Sequence, residues 1–172
     1  MKPYRAQLKQ RLLASALVVF GVVLIVIMGR AGSKPVRVEF RTAPLAIETA
    51  RGERFSFTVE VAVSPAQVHR GLMYRTRLSP DHGMLFAFDH LQTVRMWMQN
   101  TFIPLDMLFL DASGVIISIK TNTVPLSRHI IASRAPARYA VELAGGTVSR
   151  LGITDGDRVD SPAMQTRVAR SN

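Results

Sequence analysis

Two carboxylates in this chain stand where carboxylates are expensive. Asp106 lies in the run LDMLFL and, if that run is a strand, shares a face with Leu108 and Leu110. A carboxylate on an apolar face costs several kcal/mol unless it is paired, hydrogen-bonded or neutralised. One reading makes Asp106 a general acid or base with a raised pKa in a cleft. The other makes it a structural anion, paired with Arg70, Arg75 or Arg95 or capping backbone amides after Pro104. Glu142 is the second such group, facing away from Val141 and Leu143 in the run YAVEL. If Asp106 and Glu142 converge, they form an acid–base pair of the kind small hydrolases use.

A second set of residues suits binding. Trp97 shares its strand face with Arg95 and Gln99, so that an aromatic, a cation and an amide form a floor for a polar ligand such as a sugar or a peptide. Alternatively, Trp97 covers a sheet edge. Asn100 and Thr101 follow at once, with side chains that hydrogen-bond a ligand or equally stabilise a turn. The binding set is therefore Trp97, Asn100, Thr101 and Asp106, with Arg75 as partner. Met96 and Met98 share a face and are the one methionine pair with a soft-metal geometry, although methionine is ordinary core filler. The four histidines have no paired ligand spacing, and Asp155-Gly156-Asp157 reads as a tight turn. No metal site and no cofactor are expected. There is no nucleophile elbow, P-loop or dinucleotide fingerprint.

These residues need a scaffold, and the pattern supplies one. Residues 54–63 alternate, with Phe55, Phe57, Val59, Val61 and Val63 on one face. A turn at 50–53 joins them to a strand at 45–49. Ser64, Pro65 and Gln67 form a capping box that starts a helix running to about Tyr74. Strands are predicted at 84–88, 94–98, 105–110, 115–120 and 139–143, with a short edge strand at 130–131. Residues 147–151 form a second short helix stopped by Gly152. The hairpin 105–120 is nearly all apolar and is expected to be central. The fold class is mainly β: a compact β-sandwich or open barrel with two short helices.

The segments RGLMYR (70–75), GMLFAF (83–88), MWMQNTFIPLDMLFLD (96–111), YAVELAGG (139–146) and LGITDGDRV (151–159) occur in this order. Together they resemble the domain-of-unknown-function family DUF192, over about residues 55 to 160. The resemblance implies a compact, mainly β domain that often follows a signal peptide or anchor. It implies no activity, cofactor or substrate. Tyr74, Met96 and Gln99 depart from the family's Phe, Phe and Lys, so no mechanism needing a lysine amine at position 99 operates here.

The N-terminus sets the compartment. Leu12 to Met28 is seventeen residues without a charge, about 26 Å as a helix at 1.5 Å per residue. That length reaches across a bilayer core and exceeds a usual signal-peptide core. Four basic residues precede it, which places the N-terminus in the cytoplasm. Cleavage after Ala31 is the alternative to a retained anchor, and both fates put the domain outside the cytoplasm. The expected organisation is a cytoplasmic basic segment (1–11), a transmembrane or signal helix (12–29), a linker and candidate first strand (30–44), the β domain (45–160) and a loose tail (161–172).

Of the 22 basic residues, six fall in residues 1–34, which hold no acidic group; the rest of the chain has 16 basic against 12 acidic residues. Those 16 are spread singly, and a nucleic-acid reader would concentrate them. There is no cysteine, so the domain relies on core packing. The expected partners are the inner membrane through residues 12–29 and a small polar ligand or an envelope protein. The sequence therefore predicts a periplasmic, membrane-anchored binding domain; a small hydrolase and a structural docking domain are the alternatives.

Overall fold

Alternation builds the first ladder. β1 (Arg41–Glu48) and β2 (Arg54–Ala62) pair antiparallel from Arg41↔Val61 to Glu48↔Arg54, closing the turn expected at 50–53. The computed structural model describes residues 38–168. The predicted helix at 12–29, the basic segment before it, linker residues 30–37 and tail residues 169–172 lie outside the described residues. Among the described residues no helix is long and apolar enough to cross a membrane.

The chain then makes helix α1 (Pro65–Arg70) with the expected capping box: Ser64 Oγ accepts from Gln67 N, and Gln67 Oε1 accepts from Ser64 N at 3.0 Å. The helix ends at Arg70 rather than Tyr74. Gly71 takes φ +45°, and its N–H bonds the Gln67 carbonyl, which closes the last turn. This crossover lets β3 (His82–Gln92) pair parallel to β2. The remaining elements are β4 (Arg95–Met96), β5 (Leu105–Leu110), β6 (Ile116–Lys120), β7 (Ile131–Ala132), β8 (Ala137–Ala144), α2 (Thr147–Leu151), β9 (Arg158–Asp160) and α3 (Pro162–Val168).

Seven strands form one sheet in the order β6-β5-β8-β3-β2-β1-β9, and β4 and β7 form a separate ribbon. The large sheet curls into a half-barrel until its ends meet. Val115 bridges Arg158, Ile116 N donates to the Asp157 carbonyl, and Val159 N donates to the Gly114 carbonyl. Gly114 makes that seam: its φ is +86°, and a Cβ there would lie 2.3 Å from the Val159 carbonyl oxygen. Of the two predicted architectures, the open barrel is the nearer; among the described residues there is no second large sheet to stack as a sandwich.

Three other expectations are corrected. The tail has a third helix, because Ala163 and Met164 enter the core and Tyr139 Oη donates to the Met164 carbonyl. The hairpin β5–β6 is not central as a unit: β5 is flanked on both sides, whereas β6 ends the ladder. Its alternation of buried and half-buried residues carries that edge character. The run 94–98 yields only a two-residue strand, paired with β7.

The pleat divides the apolar residues into two cores. One fills the concave face, where Leu85, Leu108, Val141 and Leu143 meet. The other lies on the opposite face of β3, β5 and β8, where Met84, Phe86, Met107 and Phe109 are covered by Leu72, Val94 and Met98 from the connections. The central strands are therefore buried on both faces.

Candidate functional site

β8 carries Glu142 into the second core. Its neighbours across the ladders are Met84 on β3 and Met107 on β5, both fully buried. Glu142 is itself 4% exposed, and its Oε2 is buried with no hydrogen-bond partner. Loss of water is the whole cause of a carboxyl pushed up to about 8, so the group is largely protonated at neutral pH. An unpartnered buried carboxyl oxygen costs about 1–3 kcal/mol.

Glu142 lines a cavity of about 130 Å³. The cavity walls include Leu72, Met73 and Phe86, so the acid meets an apolar chamber. Polar and aromatic groups frame the rest: His69, Arg70, Arg95, Trp97, Gln99 and Thr101. α1 and its C-terminal turn supply His69 and Arg70. β4 supplies Arg95, and the turn after it supplies Trp97, Gln99 and Thr101. Trp97 is 40% exposed and meets the edge of the His69 ring, with centroids 6.3 Å apart. Arg70 stacks over the Tyr74 ring at 4.6 Å, whereas Arg95 makes no ion pair among the described residues.

The structure brings together part of the predicted set. Trp97 and Thr101 line the cavity. Asn100 does not: it sits at φ +57°, its carbonyl accepts from Tyr74 N, and its side-chain amide donates to Tyr74 Oη at 3.0 Å. It holds the loop that presents its two neighbours. Arg75 pairs with Glu60 and not with Asp106.

Asp106 is fully buried, on the other side of the sheet. Its register partner is Leu143, while that of Glu142 is Met107, so the pleat sends the two carboxylates to opposite faces. The acid–base pair Asp106–Glu142 therefore does not form. Asp106 instead accepts from Asn122 N and Val148 N, each at 2.8 Å. It holds the start of α2 and the loop after β6, a structural role, but through the amides of Asn122 and Val148 and not amides after Pro104.

Met96 and Met98 also part company. Met96 lines the cavity, and the Met98 sulfur is in the core, where it accepts from the Thr123 hydroxyl. Among the described residues no cluster of three His, Cys, Asp or Glu side chains could hold a metal. Sequence reasoning placed Glu142 only as a partner for Asp106. The missed signal was that β8 lies between two unalternating apolar strands, which buries both of its faces.

The sequence pattern of the family DUF192, described as Uncharacterized ACR, matches residues 46–161. No functionally curated protein matches the chain. Crystal structures similar to it include the following two. One, a "putative transcription regulator" from Sinorhizobium meliloti 1021, is 47% identical over 74% of this chain and 98% of its own, with a TM-score of 0.72. The other, a protein of unknown function from Novosphingobium aromaticivorans DSM 12444, is 32% identical over 75% of this chain and 91% of its own, with a TM-score of 0.69.

Proposed function

We propose that this chain, which belongs to the DUF192 family, is an extracytoplasmic binding domain that receives a small polar ligand in the Glu142 cavity. One observation carries the reading: a buried carboxyl without a hydrogen-bond partner lies against a chamber that Trp97, Arg95 and Thr101 help to frame. A ligand that meets this oxygen recovers the free energy the fold forgoes there. An apolar chamber with a few convergent polar groups and a perturbed carboxyl is the usual composition of a ligand site. The extracytoplasmic placement is supported by the charge-free stretch Leu12–Met28 and the four basic residues before it.

Catalysis has weaker support, because among the described residues no second acid and no metal-holding cluster accompanies Glu142. Nucleic-acid reading has little: the described helices have six, five and seven residues, short for a recognition helix in a major groove.

The test is native mass spectrometry of the full-length chain after incubation with the small-molecule fraction of a cell extract. The reading predicts an adduct that disappears in Glu142→Met, which fills the floor with an apolar side chain. An adduct that persists in that variant, or none in either protein, contradicts it.

A further inference from the structure

Resting on the reading that this cavity is a ligand site, we propose that its ligand is a small carboxylate, with its charge met by Arg95 and Arg70 and a buried oxygen meeting the Glu142 carboxyl. The sign of the charge around the cavity selects the ligand. Among the described residues, four ionisable groups line the cavity. α1 and its turn contribute His69 and Arg70, β4 contributes Arg95, and β8 contributes Glu142. The strands flanking Glu142 offer only uncharged neighbours, Met84 and Met107. Among the described residues Glu142 is therefore the one acid on the wall, and burial keeps it largely protonated at neutral pH.

At that pH the site carries two guanidinium charges and no negative charge. An ammonium ligand would face like charges and would have to ionise the acid. An uncharged amide could accept from Arg95 but would leave its charge without a counter-ion. A carboxylate satisfies both features, since Arg95 supplies planar donors and the protonated acid supplies an O–H donor. The volume of about 130 Å³ limits the enclosed part to about six non-hydrogen atoms, as benzene occupies an apolar cavity of ~150 Å³.

The sign also predicts a pH dependence. Above pH 8 Glu142 ionises and repels the anion. If only the protonated form binds, the apparent Kd rises by the inverse of the protonated fraction, roughly thirtyfold between pH 7 and 9.5 for a carboxyl at about 8.

The experiment uses the full-length chain in a non-ionic detergent. Trp97, the sole tryptophan, reports occupancy by its fluorescence. Propionate, propionamide and propylammonium are titrated at constant ionic strength from pH 6.5 to 9.5. Propionate should bind with an affinity that falls at alkaline pH. Glu142→Gln, which keeps a donor, should bind it with a flat profile, and Arg95→Ala should weaken it at least tenfold. His69→Gln should keep the alkaline loss, which separates that ring from the acid. Urea unfolding of each variant confirms that it is folded.

Binding of propylammonium in place of propionate, with affinity rising with pH, overturns the carboxylate and leaves the cavity a ligand site. So does propionamide binding as well as propionate irrespective of Arg95. If none of the three probes perturbs Trp97, both readings fall.

Discussion

Replacing Glu142 by glutamine should make the stability of the domain less sensitive to alkali, by an amount fixed by where the carboxyl titrates. In the fold it releases its proton near 8, against 4.5 for an unperturbed glutamate. Between those values the native state holds a proton that the unfolded chain has released. The contribution of Glu142 is therefore whole below pH 4.5, declines as pH rises, and is exhausted above pH 8. At 1.36 kcal/mol per pKa unit the whole decline is roughly 5 kcal/mol, of which roughly 3 kcal/mol is spent by pH 7. Glutamine does not titrate, so the difference between the two proteins removes the contribution of all other groups. Urea unfolding followed by Trp97 emission at intervals from pH 5 to 9 measures it. The wild type should lose several kcal/mol relative to Glu142→Gln between pH 5 and 8, and then run parallel to it. A difference that stays flat within about 0.5 kcal/mol over that range refutes the reasoning, because the group would then be ionised in the fold.

Asp106→Ala should destabilise the domain by about 2–4 kcal/mol, because the part-buried amide of Asn122 and the buried amide of Val148 lose their acceptor; urea midpoints check this, and an unchanged midpoint would contradict the structural role. Gly83→Ala should cost more than about 2 kcal/mol in the same assay, since a Cβ there would lie 2.4 Å from the Glu142 carbonyl oxygen and force β3 from β8. Arg75→Ala should change stability by less than about 1 kcal/mol, its pairing with Glu60 being part-exposed, and should leave propionate affinity unaltered by fluorescence titration. Alkaline phosphatase fused after Asn172 should be active in whole cells, as the placement of the domain outside the cytoplasm requires; an inactive, stably expressed fusion would argue against it.

Alternation made the β1–β2 hairpin legible, and a capping box did the same for α1. Ser64 and Gln67 bond each other's backbone because their spacing suits the first helical turn. The end of α1 was harder to read, because a glycine inside a helical pattern either weakens it or stops it, and only the φ of Gly71 decides. The third helix was obscured because the run 161–172 is polar and aperiodic as a sequence, apart from two positions, Ala163 and Met164, that join the core. Position 106 announced a constrained carboxylate, yet the two amides that bind it come from residues 16 and 42 positions away. Nothing local in the sequence encodes those partners. Glu142 was recognisable as an acid pointing away from its apolar neighbours. Its isolation follows from sheet order, since β8 lies between β5 and β3, and that order is set by long-range pairing rather than by any local pattern.

The central property of the site is one carboxyl, Glu142, held neutral beside a cavity that apolar side chains line in part. A carbon-13 NMR titration of glutamate-labelled protein, with the Glu142 side-chain resonance assigned by its loss in Glu142→Gln, reads that group alone. A midpoint near 8 is the predicted result. A midpoint in the ordinary range, about 4 to 5, would mean that water or an internal donor already satisfies the group, and would contradict the account.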